Sequence, residues 1–181
     1  MRKLTATLCL TFAILLGSAG MSASADYQKG LTAYKSGNYA TAKSVWEPLA
    51  EEGDPRAQFY LGQMHELGHG VQQDFDTAAR WYRASAALGN VNAQHNLGLL
   101  YMIGEGVMQN YPRAVELFIQ SAEHGHEVSQ QTLGDMYFYG HGVQRDPKIA
   151  MKWYRRLKKQ SNKGITAEYV MGKINAINNS N

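Results

Sequence analysis

Residues His65-Glu66-Leu67-Gly68-His69 have the types and spacing of H-E-x-x-H. On one continuous helix that pattern puts two imidazoles on a face at i and i+4, where they hold zinc while the glutamate serves as general base. The chemistry would be metal-assisted hydrolysis, and it needs a third ligand. The longer form H-E-x-x-H-x-x-G-x-x-H calls for glycine and histidine where this chain has Gln72 and Phe75, and no glutamate occurs between Glu66 and Glu105. His124 and His126 flank Gly125 and read as exposed polar residues of a turn, able to hold a metal only opportunistically. Three Gly-x-Gly-Val segments precede helical patterns as phosphate loops do, but their regular recurrence marks them as hinges. No Ser-His-Asp order, P-loop or dinucleotide fingerprint is present. The expectation is a protein with no catalytic residues, no metal and no cofactor; a zinc hydrolase built on His65, Glu66 and His69 is the competing reading.

The repeat explains the coincidence. Gly53–Leu88, Gly89–His124 and Gly125–Gln160 align without a gap at a period of 36 residues. The first contains Ala57-Gln58, Leu61-Gly62, Gly68-His69-Gly70-Val71, Asp74 and Trp81-Tyr82. The second has Ala93-Gln94, Leu97-Gly98, Tyr101, Gly104-Glu105-Gly106-Val107 and Ala114. The third has Leu133-Gly134, Tyr137, Gly140-His141-Gly142-Val143, Asp146 and Trp153-Tyr154. Twelve of the eighteen glycines recur at this interval, and such a period is the signature of a repeat architecture. His65 takes the place of Tyr101 and Tyr137, and Gly68 that of Gly104 and Gly140. The helix should therefore end near Gly68, which leaves His69 in a loop.

Each repeat reads as helix, loop, helix, with a first helix over roughly 55–66 and a second over roughly 75–87. Ala57, Leu61 and Met64 form one apolar stripe. Asp74, Asn110 and Asp146 stand where an N-cap acceptor is needed. Gly62, Gly98 and Gly134 fall inside helices, where glycine costs about 1 kcal/mol against alanine. The compensation expected is close approach of the partner helix, with a ring of the Trp81 type against the glycine. Residues 26–52 carry a shortened version (Gly30, Tyr34, Gly37-Asn38-Tyr39, Ala42, Trp46) as an N-terminal capping hairpin. Residues 161–181 carry a closing helix in which Ala167-Glu168 and Met171-Gly172 repeat the first-helix pattern.

This pattern resembles the Sel-one-like repeat (SLR) family, a branch of the tetratricopeptide-type α/α repeats. The resemblance implies an all-α, right-handed α/α solenoid with repeats 53–88, 89–124 and 125–160 and atypical end caps. It also implies an adaptor that binds other proteins, in exported bacterial members often within the envelope. Some exported relatives are stapled by disulfides, from which this chain departs.

Residues 1–25 read as a secretory signal peptide: Met1-Arg2-Lys3, an apolar run from Leu4 to Leu16, and Ala23-Ser24-Ala25 as the cleavage signal. Cleavage after Ala25 would export the chain to the periplasm or beyond, and would remove Cys9, its only cysteine. That leaves sixteen cations against fifteen acids, too even a balance for nucleic acid. With 44% apolar and 18% charged residues the chain is not of disordered composition.

In α/α solenoids the first helices line the concave surface. With Leu61, Gly62 and His65 turned inward, the opposite face presents Arg56, Phe59, Gln63 and Glu66, then Asn92, His95, Leu99 and Met102, then Val128, Gln131, Asp135 and Phe138. These twelve are the expected partner-binding residues. The occupant would be a protein segment or, alternatively, a glycan or peptidoglycan fragment stacked on the aromatic rings. A second charged feature lies near the end of the chain, where Lys152, Arg155, Arg156, Lys158, Lys159 and Lys163 are clustered. They read as a solvated helix face, or as a dock for an anionic envelope component.

Overall fold

The computed structural model describes residues 23–160 and 165–179. Residues 1–22 of the expected signal peptide, and Lys163, lie outside them. The described residues form helices only. They are α1 (23–35), α2 (Tyr39–Glu51), α3 (Pro55–Leu67), α4 (Phe75–Ala87), α5 (Val91–Ile103), α6 (Tyr111–Glu123), α7 (Glu127–Tyr139), α8 (Pro147–Gln160) and α9 (Ile165–Asn178). Each helix from α2 to α8 packs against the next, and α8 against α9, so the chain is an α/α solenoid of stacked hairpins. The start of α1 includes Ser24 and Ala25, so the expected cleavage point lies within helical backbone.

Local chemistry sets these boundaries. Asp54, Asn90 and His126 cap the first helices, accepting from backbone N–H groups two or three residues on. Asp74, Asn110 and Asp146 cap the second helices, as their spacing predicts. Each first helix ends on a glycine in the left-handed region, at φ of 71° for Gly68, 85° for Gly104 and 77° for Gly140. A second ladder is invisible to a search for apolar periodicity. Gln58, Gln94 and Gln130 are buried, and each side-chain amide donates to a carbonyl near the end of the preceding helix, on Ala50, Ala86 and Ala122. Their recurrence at 36 residues is the sequence signal for it.

The glycines inside the first helices do permit close approach, but the ring they receive is a different one. A Cβ on Gly62 would stand 2.7 Å from Tyr82, on Gly98 2.7 Å from Phe118, and on Gly134 2.4 Å from Tyr154. The partner is thus the residue after the Trp81 position, and Trp81 itself is half-buried on the neighbouring core cluster. Gly30 meets Trp46 in the same way in the N-terminal hairpin, where Trp46 stacks on Tyr60 at 4.6 Å. Gly172 holds the equivalent place in α9 and has no atom within 4 Å of such a Cβ.

Candidate functional site

The H-E-x-x-H residues are pulled apart by the helix end. Gly68 terminates α3 after Leu67, so His69 leaves the helix. Its Nδ1 lies 2.9 Å from the Tyr34 hydroxyl and its ring stacks on Tyr39 at 4.5 Å. The Glu66 carboxylate accepts from the Tyr82 hydroxyl. His65 remains on the helix with its Nδ1 buried and unpartnered, and burial holds its pKa below the usual imidazole value. The side chains that would have to converge on one ion do not: His69 and Glu66 serve different contacts and His65 Nδ1 has no partner. No group of three or more His, Cys, Asp or Glu among the described residues could hold a metal.

The twelve residues expected on the first-helix face divide into three sets. Arg56, Asn92 and Val128, near the helix starts, are exposed. Phe59, Gln63, Glu66, Leu99, Met102, Gln131, Asp135 and Phe138 are half-buried. The large apolar members rest one side on a core cluster: Phe59 on the one that contains Ala93 and Leu97, Leu99 and Met102 on the one that contains Phe118 and Leu133, and Phe138 on the one that contains Tyr154 and Val170. His95 departs from the expectation, being turned into the joint between the second and third repeats at 7% exposure. The cause is the neighbour. His95 meets His126 and Ser129 of the next repeat, and at the positions matching these two the repeat after Phe59 has Asn90 and Ala93.

His95, His126, Ser129 and Ser121 form a polar joint, buried except for the half-buried His126. Ser129 Oγ lies 2.8 Å from His95 Nδ1, 2.9 Å from His126 Nδ1 and 3.0 Å from Ser121 Oγ. His126 Nδ1 accepts the Ser129 backbone N–H, which is how an imidazole comes to cap α7. Ser121 donates to the Val91 carbonyl. His124 and His126 were expected to be equivalent turn residues, and only His124 is fully exposed. Burial, and then the neighbouring His126, depress the His95 pKa to about 4; burial also lowers that of His126, against the opposing carboxylate of Glu127. Both folded values lie below the ordinary ~6.5, so the unfolded chain takes up protons that the folded joint refuses. The joint's contribution is complete above about pH 6.5 and declines as pH falls toward 4. The decline due to His95 is expected to be about 2–3 kcal/mol, read as the difference in urea stability between pH 7 and pH 4.5 in the protein and in His95→Gln. An equal pH dependence in the two would remove His95 as the cause.

The polar and apolar character of the first-helix face alternates along the solenoid. At one end the Tyr82 hydroxyl donates to Glu66 and accepts from Asn96. At the other, Asp135 accepts from the hydroxyls of Tyr154 and Tyr169. Burial, with the carboxylate beside it, drives the pKa of Tyr82 and of Tyr154 well above the phenol range, so both remain donors. The middle repeat has Phe118 at the same place. Without a hydroxyl to satisfy, Leu99 and Met102 occupy the positions matching Gln63 and Glu66, and an apolar stretch lies between two anionic ones.

None of the twelve lines the open cleft of about 560 Å³ bordered by Pro112, Tyr137, Val143, Asp146 and Ile149. No helix among the described residues is long and apolar enough to cross a membrane.

The Sel1 repeat family model matches residues 55–90, 91–126 and 129–162. A solved Sel1 repeat protein from Oxalobacter formigenes superposes with a TM-score of 0.75 at 29% identity, over 83% of this chain and 60% of that one. A protective antigen present in uropathogenic Escherichia coli strains, which displays an SLR fold, superposes with a TM-score of 0.72 at 35% identity, over 82% of this chain and 33% of that one. The chain thus spans less than two-thirds of the length of either solved relative. No curated protein matches it.

Proposed function

Because the chain belongs to the Sel1 repeat family, whose members are generally protein-interaction scaffolds, we propose that it is a non-catalytic adaptor of the cell envelope that binds a protein segment along its first-helix face. The supporting observation is the alternation just described: half-buried Leu99 and Met102 between the carboxylates of Glu66 and Asp135. Half-exposed apolar side chains between fixed charges suit a segment with an apolar centre and basic flanks. The N-terminal signal pattern supports export as the route to the envelope. A glycan would need free ring faces, whereas Phe59 and Phe138 each lie against a core cluster.

The test is a crosslinking pull-down from the native envelope fraction. Leu99→Ser/Met102→Ser is expected to lower capture at least tenfold, as loss of a central apolar contact does, while helicity is retained. Protein recovered from that fraction should begin at Asp26. Undiminished capture by the double variant would place the partner on another face, and a retained Met1 would end the export reading.

A further inference from the structure

Within the three repeats the charges are unevenly divided between first and second helices. Helices α4, α6 and α8 hold nine cations against three acids, while α3, α5 and α7 hold one cation against three. All of the excess is on α8, which has six cations and no acid, since the charges of α4 and α6 cancel. Lys148, Lys152, Arg155 and Lys159 recur at i, i+4, i+7 and i+11, so they form one row about 16 Å long. The opposite side of the helix is buried through Ala150, Trp153, Tyr154 and Leu157. The row is exposed, and with Met151 and Arg156 it lines a shallow cleft of about 290 Å³. Among the described residues, no carboxylate forms an ion pair with any cation of this helix.

From this row we propose that α8 is a docking face for an anionic lipid surface. Charge is the only recognition chemistry the face offers. Trp153 is buried, and the Arg156 guanidinium lies 5.8 Å from its ring while donating to the Glu123 carbonyl, so no ring is free to stack on a sugar. No large apolar side chain of α8 is exposed for insertion. A dense, unpaired row of four to six cations matches a plane of anionic headgroups, each cation near such a surface contributing about fivefold in affinity. The charge then orients the molecule: α8 faces the bilayer, and the more acidic α7 beside it in the same repeat faces away. This docking is independent of the partner face, so either reading can fail without the other.

The test is sedimentation of the purified protein with phosphatidylcholine vesicles, with and without phosphatidylglycerol. Binding is expected only to the anionic vesicles, and should fall more than tenfold between low salt and about 0.5 M, where screening is nearly complete. Lys152→Gln/Arg155→Gln/Lys159→Gln should weaken it about 100-fold with an unchanged circular-dichroism spectrum and unchanged partner pull-down. Equal binding to neutral vesicles, which the apolar N-terminal run alone would give, overturns the proposal. So does a triple variant that binds as well as the parent. Tighter binding to soluble polyglutamate than to vesicles of equal charge would assign the face to an acidic polymer and overturn the lipid assignment.

Discussion

Gly106→Ala is expected to destabilise the protein by about 3–5 kcal/mol, more than any other single-methyl addition in the chain. Two costs combine. Gly106 has φ of 63°, a conformation that charges an L residue roughly 1–2 kcal/mol. Its Cβ would also stand 2.1 Å from the Phe75 carbonyl oxygen and 2.7 Å from the Asp76 nitrogen. Overpacking costs about 1–3 kcal/mol when side chains can yield; here the obstruction is the backbone at the start of α4, so the repeats must separate. Gly70 and Gly142 make the equivalent approach to Tyr39 and Tyr111. The second glycine of each Gly-x-Gly is therefore where one repeat rests on the one before it. Gly89→Ala isolates the first cost, because its φ is 84° with no atom within 4 Å of the added carbon. It should lose only about 1–2 kcal/mol. Chemical denaturation of the two variants measures the difference, and equal losses would sink the contact argument.

Leu97→Ala should cost about 2–5 kcal/mol, the range for a buried leucine that leaves a cavity. Leu97 is 2% exposed and packs with Leu100, Leu117 and Tyr82 in the cluster joining the first and second repeats. In a solenoid each unit contacts only its neighbours, so this cavity weakens the joint between the first and second repeats. Leu88, 56% exposed, is the comparison: Leu88→Ala should change stability by less than about 0.5 kcal/mol. A melt of Leu97→Ala unchanged from the parent would mean that the burial phase of α5 is wrong.

Helix positions were legible because caps and stops are local. An aspartate or asparagine accepting from N–H groups two or three residues on, and a glycine reaching positive φ, act within one turn of chain. The repeat made that local grammar readable three times, and it also placed Gly68 at a helix end and so dissolved the H-E-x-x-H match. The Tyr82 contact was not legible, since Trp81 and Tyr82 are adjacent, both aromatic, and 100° apart on the helix. Which of them meets Gly62 depends on how α4 rolls against α3. His95 was misplaced for a related reason. Its own helix phase matches Phe59 and Gln131, but its burial comes from Ser129 and His126 across a joint.

The residues alone thus determined the family, the all-helical class, the period and the helix ends, because each rests on interactions close in sequence or on recurrence along it. Tertiary structure decided which ring fills each glycine gap, which glycine bears on the preceding repeat, and that His95 lies in a polar joint. These depend on the angle and roll at which one repeat meets the next, set by side-chain volumes from two repeats at once.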